Sequence, residues 1–230
     1  MKVSIIIPIR NEELILKKII DQLESKLKSI SFEIIFVNDY STDNTWDVLK
    51  KLIHNKDYIK LFNNKKKGLG GAITEGITRS SGEAICIMMS DLSDDVEDLK
   101  VYCKIIEEEK VDAVFGSRFI KGSKVIDYPK KKLILNRIFN LVTKVLFMSN
   151  YNDFTNAFKI YKKDALLKAM PLVSESFNIF LEMPLKIISR KMNYRIIPIT
   201  WENRRGGKAK FNIKELRSKY LFTLIYCFLE

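Results

Sequence analysis

Two apolar runs near the N-terminus limit what this chain can fold into. VSIIIPIRNEE at residues 3–13 and IIFVNDYSTDNT at residues 34–45 are each rich in β-branched and apolar residues, and each stops abruptly in polar turn-formers. A helix-compatible stretch follows each one, so together they read as the opening of a β-α-β unit. In an open parallel sheet the carboxyl ends of neighbouring strands converge on one crevice. Arg10, Asn11 and Glu12 are therefore expected beside Asn38, Asp39 and Asp43, and a polar ligand should bind there.

The same alternation continues along the chain. Strands are expected over 3–8, 33–37, 59–63, 83–89 and 112–116. Helices are expected over 12–27, with Ile15, Ile19, Ile20 and Leu23 on one face, and over 45–53, 96–109 and 131–147. Thr42 or Asp43 can cap the second of these, and a glycine-bearing turn enters a further helix from Lys65. The reading is a doubly wound α/β fold in a single domain.

Composition narrows the function. The only histidine, His54, lies in a Lys- and Asn-rich stretch without the partners of a Ser-His-Asp, Cys-His or multi-histidine metal site. Cys86, Cys103 and Cys227 show no CxxC spacing, which argues against disulfides and structural zinc and for a reducing, cytoplasmic compartment. The net charge of +12 favours anionic partners or describes a lysine-rich solvated surface. Aromatic residues are not interleaved with the basic clusters as stacking platforms, so no nucleic acid is expected. The run at 3–9 is too short for a signal peptide and meets charge at Arg10 and Glu12. No window reaches the roughly 20 apolar residues of a membrane span.

Four constellations fall at strand or turn ends. Asp39 follows a strand, where its carboxylate can accept bonds from a base N–H or ribose hydroxyls. Gly68, Gly70 and Gly71 precede a helix, just after Lys65, Lys66 and Lys67; small residues there let backbone approach phosphate, although such turns are common. SDLSDD at 90–95 follows an apolar strand and suits a divalent cation held against a diphosphate, with Asp91 as ligand. Asp94 and Asp95 fit the N-cap and first turn of the next helix instead. Last come Arg118, Arg137 and NRRGGKAK at 203–210, suited to phosphate clamping or to a solvated basic face.

Taken in order, IIPIRNEE, VNDYSTDNT, KGLGGAITEGI, MMSDLSDD, VFGSRF, NDFTNAFKIYKKD, FLEMPLK and ITWENRRGGKAKF resemble the family 2 glycosyltransferases of the GT-A fold. Within them the chain is most similar to the dolichyl-phosphate mannose synthase-like group, over residues 3–212. The resemblance implies a GT-A domain at 1–212, with a Rossmann-like, mixed but mainly parallel sheet flanked by helices, then an amphipathic or apolar C-terminal helix at 213–230. It also implies inverting transfer of a sugar from a UDP- or GDP-sugar to a polyprenyl or dolichyl phosphate, with Mg2+ or Mn2+ as cofactor. Pro8, Asn11 and Glu12 would shape the nucleotide pocket with Gly68 and Gly70, Asp39 would read the base, and Asp91 would be the second acid of the metal motif. Arg118 and Arg137 would meet acceptor phosphate, while Arg204, Arg205 and Lys210 would close over the donor diphosphate. Asp153, Thr155 and Lys159 match the family's element beside the acceptor, and Glu182 looks placed near the sugar.

The chain also departs from that pattern. Met89-Ser90-Asp91 stands where Asp-x-Asp is usual, so the first metal ligand is missing and cation affinity should fall unless Asp94, water or the donor diphosphate fills the gap. Tyr40 replaces a usual Gly, and a bulky residue should resist a positive-φ turn. A phosphate acceptor is already an anion and needs no general base, whereas a sugar hydroxyl in cell-surface polysaccharide synthesis would need one, with Asp153 or Glu182 the candidate. An inactive nucleotide-sugar binding module is the other alternative. The helix at 131–147 sets Leu133, Ile134, Ile138, Leu141, Val145 and Leu146 near one side with Lys and Arg at its edges, the pattern of a surface-lying or a buried core helix. With the apolar 219–230 stretch it gives the expectation of peripheral contact at the cytoplasmic face of a membrane.

Overall fold

The computed structural model describes residues 1–203 and 213–230, the side chains of 213–217 excepted. The first half alternates as expected: β1 (Lys2–Ile9), α1 (Leu16–Lys26), β2 (Ser31–Asn38), α2 (Thr45–Leu52), β3 (Ile59–Asn63), α3 (Leu69–Arg79), β4 (Ala84–Ile87), α4 (Glu97–Glu109) and β5 (Ala113–Ser117). The second half is less regular: β6 (Lys124–Ile126), α5 (Lys130–Leu146), β7 (Lys159–Lys162), α6 (Lys163–Lys168), α7 (Ile179–Ser189), β8 (Tyr194–Pro198), β9 (Thr200–Glu202) and α8 (Ile213–Leu229).

Seven strands form one sheet in the order β3-β2-β1-β4-β7-β5-β8. All pair in parallel except β7, which enters antiparallel between β4 and β5. Helices cover both faces, so adjacent residues of one strand serve two cores. Ile5 and Ile7 pack with Leu16, Ile20 and Phe36, whereas Ile6 packs with Ile35, Ile73 and Ile77. Burial on both sides is why these strands read as unbroken apolar runs rather than alternating ones, each such side chain contributing about 1.5–3 kcal/mol.

The amino-terminal edge of the sheet is stitched by Glu33, which is fully buried. Its carboxylate accepts bonds from Ser4 Oγ at 2.6 Å and from the Ser81 N–H at 2.6 Å, and pairs with Lys2 and Lys60. A second small sheet, β6 with β9, continues from β5 and β8. The carboxyl edge of the large sheet is left for the site.

Candidate active site

At the ends of β1 and β2 the two turns lock together. Asn11, at φ 52°, accepts the Thr42 N–H at 2.8 Å through Oδ1, and the Glu12 N–H donates to Thr45 Oγ1 at 2.8 Å. Glu12 is used before the helix starts: Ile15 N–H bonds back to Glu12 O, and α1 begins only at Leu16, later than residue 12. Pro8 lies inside β1, buried opposite Val37. Tyr40 sits at φ 56°, so the turn is kept despite its bulk, at a strain cost of about 1–2 kcal/mol. Lys67 Nζ lies 5.9 Å over the Tyr40 ring.

Asp39 is buried, and its Oδ1 accepts both Asn64 Nδ2 and the Gly68 N–H at 2.8 Å. Its Oδ2 takes no hydrogen bond among the described residues. The glycine turn is explained differently from the sequence expectation. A Cβ on Gly68 would lie 2.6 Å from the Glu175 carbonyl oxygen, and one on Gly70 would overlap the Ser174 carbonyl. The close neighbour that demands glycine is the chain's own 174–175 backbone, and the Gly68 N–H is already given to Asp39.

That backbone is held in turn by Glu182. Its Oε1 accepts the Val173 N–H at 2.8 Å and its Oε2 the Ser174 N–H at 2.7 Å, with Lys186 Nζ 3.7 Å away. The carboxylate is fully buried with both oxygens occupied. The expectation of Glu182 beside the sugar is thus corrected: α7 aims it at the 171–175 loop, where it backs the turn of Gly68 and Gly70.

Beyond β4, Asp91 is partly exposed and its Oδ1 accepts the Ser93 N–H at 3.1 Å. Asp95 does what was expected of it, accepting the Glu97 N–H at the start of α4 at 3.1 Å. Asp94 does not. It turns inward, buried, bridged through its backbone to Trp201, with Oδ1 lacking a hydrogen-bond partner among the described residues. Burial, reinforced by Asp91, pushes its carboxyl up to about 8, with Arg118 pulling the other way.

Arg118, just past β5, is buried and clamped by one carboxylate. Its N–H and Nε donate to Asp153 Oδ2 at 2.9 and 2.8 Å, and Nη2 donates to Asp153 Oδ1 at 2.6 Å. The guanidinium lies 5.3 to 5.5 Å from the rings of Phe119, Tyr128 and Trp201. Asp153 is fully buried with both oxygens spent on this fork, so the base role considered for it is corrected to that of an anchor. Arg137 is exposed and lies over Phe119 at 4.9 Å, on the rim of the same cluster. Arg204, Arg205 and Lys210 lie outside the described residues.

With this geometry in view, the sequence profile of Glycosyl transferase family 2 matches residues 4–169. The chain belongs to that family. The fold agrees: the glucosyl-3-phosphoglycerate synthase of Mycobacterium tuberculosis, solved with Mn2+, UDP-glucose and phosphoglyceric acid, superimposes with a TM-score of 0.73 at 12% identity, over 99% of this chain and 79% of that one. Among relatives, a dolichol-phosphate mannosyltransferase of Pyrococcus furiosus is 28% identical over 94% of this chain and 61% of its own length. The glycosyltransferase AglD of Haloferax volcanii is 24% identical over 91% of this chain and 34% of its own length. The chain therefore spans between a third and two thirds of these two relatives.

As a glycosyl transferase family 2 chain it offers few carboxylates to a cation. No group of three His, Cys, Asp or Glu residues among the described residues could hold a metal ion. Asp91 offers one carboxylate, which fits a cation that arrives with a diphosphate and takes its other ligands from it, rather than a resident ion. Sequence reading missed three residues of the site. Lys132 is electrostatically coupled to Arg118 and Asp91, and burial with the Arg118 charge holds its ammonium below the usual range. The Tyr128 and Trp201 rings lie 4.9 Å apart, tilted by 40°, and each is 5.5 Å from the same guanidinium. Lys132 was one of three consecutive lysines and Trp201 lies eighty-odd residues from Arg118, so no local signal separated them.

Proposed function

We propose that this chain transfers a sugar, with inversion, from a UDP- or GDP-sugar to the phosphate of a polyprenyl lipid at a membrane surface. The observation that carries the reading is the state of the two candidate bases. Asp153 is consumed by Arg118 and Glu182 by the 173–174 backbone, which favours an acceptor that is already an anion and needs no proton removed. The likeness to the dolichol-phosphate mannosyltransferase of Pyrococcus furiosus points the same way.

In the proposed step an acceptor phosphate oxygen attacks the anomeric carbon in line, forming the new C–O bond as the bond to the nucleoside diphosphate breaks. Asp39, through Oδ2, and the locked Asn11–Thr42 turn orient the nucleotide. Arg118, fixed by Asp153, presents a permanent positive charge to the acceptor, with Lys132 and Arg137 beside it. Positioning and charge neutralisation then supply the rate. A divalent cation, when bound at Asp91, would neutralise charge on the departing diphosphate.

Peripheral membrane contact is supported by α5, which is inside out. Its buried residues are Asn140 and Thr143, whereas Ile134, Leu135, Ile138, Leu141, Val142 and Val145 are each more than half exposed. Contacts of Phe139 with Tyr220 and of Phe147 with Phe228 join this face to the exposed Phe222 and Ile225 of α8. An apolar surface of this kind, edged by lysines, suits lipid headgroups and acyl chains. No helix among the described residues is long and apolar enough to cross a membrane.

The test is transfer from labelled UDP- and GDP-sugars to polyprenyl phosphate in detergent, with Mn2+, Mg2+ or chelator, and Asp91→Ala as control. Labelled lipid that disappears with Asp91→Ala is the expected result. A donor that binds yet labels no lipid would overturn the acceptor and return the hydroxyl-acceptor or binding-module reading.

A further inference from the structure

Lys159 is a long cationic side chain in the middle of the fold, 1% exposed, with no place in the transfer just described. Its Nζ donates to three backbone carbonyls: Phe154 O at 3.1 Å, Asn156 O, and Phe180 O at 3.4 Å. The last bond has a specific cause. Within α7 the carbonyl of residue 180 should receive the N–H of residue 184, but residue 184 is a proline inside the helix and has none. Lys159 supplies the missing donor, because a buried carbonyl left alone would cost about 1–3 kcal/mol.

The other two carbonyls belong to the turn that carries Asp153 and Thr155, and those two side chains hold Arg118. The same turn is pinned from its opposite side by α5, where buried Asn140 accepts the Phe154 N–H at 2.6 Å through Oδ1. Tyr151, whose ring lies 5.6 Å from Lys159 Nζ, donates its hydroxyl to Gly116 O, two residues before Arg118. Among the described residues the hydrogen bonds of the Arg118 guanidinium thus all go to a short turn with an ammonium at its base. Two residues along α7 from the Phe180 carbonyl, Glu182 of the same helix holds the 173–174 backbone behind Gly68 and Gly70.

We propose that Lys159 is a positioning residue for acceptor binding: it fixes the 153–156 turn to α7 and thereby sets Arg118 in register with the donor side. The proposal rests on the acceptor reading above for its catalytic consequence, though not for its structural one. An aliphatic side chain of equal length would fill the space yet leave three carbonyls without a donor, and the turn would relax away from α7.

The test compares Lys159→Met with the wild-type full chain. The KM for polyprenyl phosphate is expected to rise about tenfold, while the affinity for UDP or GDP stays within about twofold. Amide hydrogen exchange reads the same effect without catalysis: residues 154–158 should exchange about tenfold faster, with β1 to β3 unchanged. Asn140→Leu, which removes the turn's other anchor, should reproduce both changes and keeps the test open if Lys159→Met does not fold. Exchange at 154–158 that stays at the wild-type rate, or nucleotide affinity that falls in step with acceptor affinity, would overturn the proposal. A wild-type chain inert toward lipid phosphate would refute the acceptor reading alone; faster exchange confined to the turn would still uphold the role of Lys159.

Discussion

Arg118 and Asp153 make one another necessary. The carboxylate is fully buried and both of its oxygens are filled by the guanidinium and by the backbone N–H of the same residue. Arg118→Met would leave that charge in the interior without its partner, a loss of about 3–5 kcal/mol. Pairing it with Asp153→Leu removes the stranded charge, so the double variant is expected to recover most of that stability in urea titration while transfer stays absent. Recovery of activity together with stability would show that the arginine serves the fold and not the acceptor. The sequence marked Arg118 at a strand end and Asp153 through the resemblance to the family's acceptor element, but not that they pair: thirty-four residues of chain lie between them, including all of α5.

At the scale of elements, α5 shows how far a sequence pattern can be read and where it stops. Helical spacing over 131–147 was legible, and the observed helix, Lys130–Leu146, differs by one residue at each end. Which side faces the protein was not legible, because apolar residues ordinarily point inward. Here Asn140 and Thr143 point inward. Asn140 is needed at the Phe154 N–H, so the aliphatic face is left outside. Ile138→Glu with Leu141→Glu should therefore leave stability within about 0.5 kcal/mol, as for ordinary surface positions, yet reduce sedimentation with anionic lipid vesicles at least about tenfold. A variant that unfolds, or one that still sediments as wild type, would remove α5 from the lipid surface.

Over the whole molecule, charge is distributed along the strand direction. At the amino-terminal edge Glu33, surrounded by hydroxyls, an N–H and two lysines, is held well below the usual carboxylate range despite its burial. Its stabilisation is present above the unfolded value near about 4.3 and is lost as pH falls through the folded value. At the functional edge Asp94 behaves oppositely. With its carboxyl raised to about 8, it favours the fold below the unfolded value and loses that contribution as pH rises toward 8. Asp94→Asn, which keeps the shape of the neutral acid, is expected to be more stable than wild type at pH 8 by about 5 kcal/mol and nearly equal at pH 4, from urea midpoints at the two values. Equal pH dependence in both proteins would place the Asp94 titration outside the folding equilibrium.

The amino-acid sequence by itself determined the strands and helices of the parallel half and the crevice at the ends of β1, β2, β4 and β5. Apolar runs and turn-formers are local signals, and a crossover connection leaves two such strands one direction to pair. Tertiary structure alone decided the antiparallel entry of β7, the glycines' fit against residues 174–175, the burial of Asp94, and the spending of Asp153 and Glu182 on holding other groups. Most of these depend on contacts between residues far apart along the chain, and a carboxylate's or a glycine's role is set by which groups reach it and by how much water is left around it.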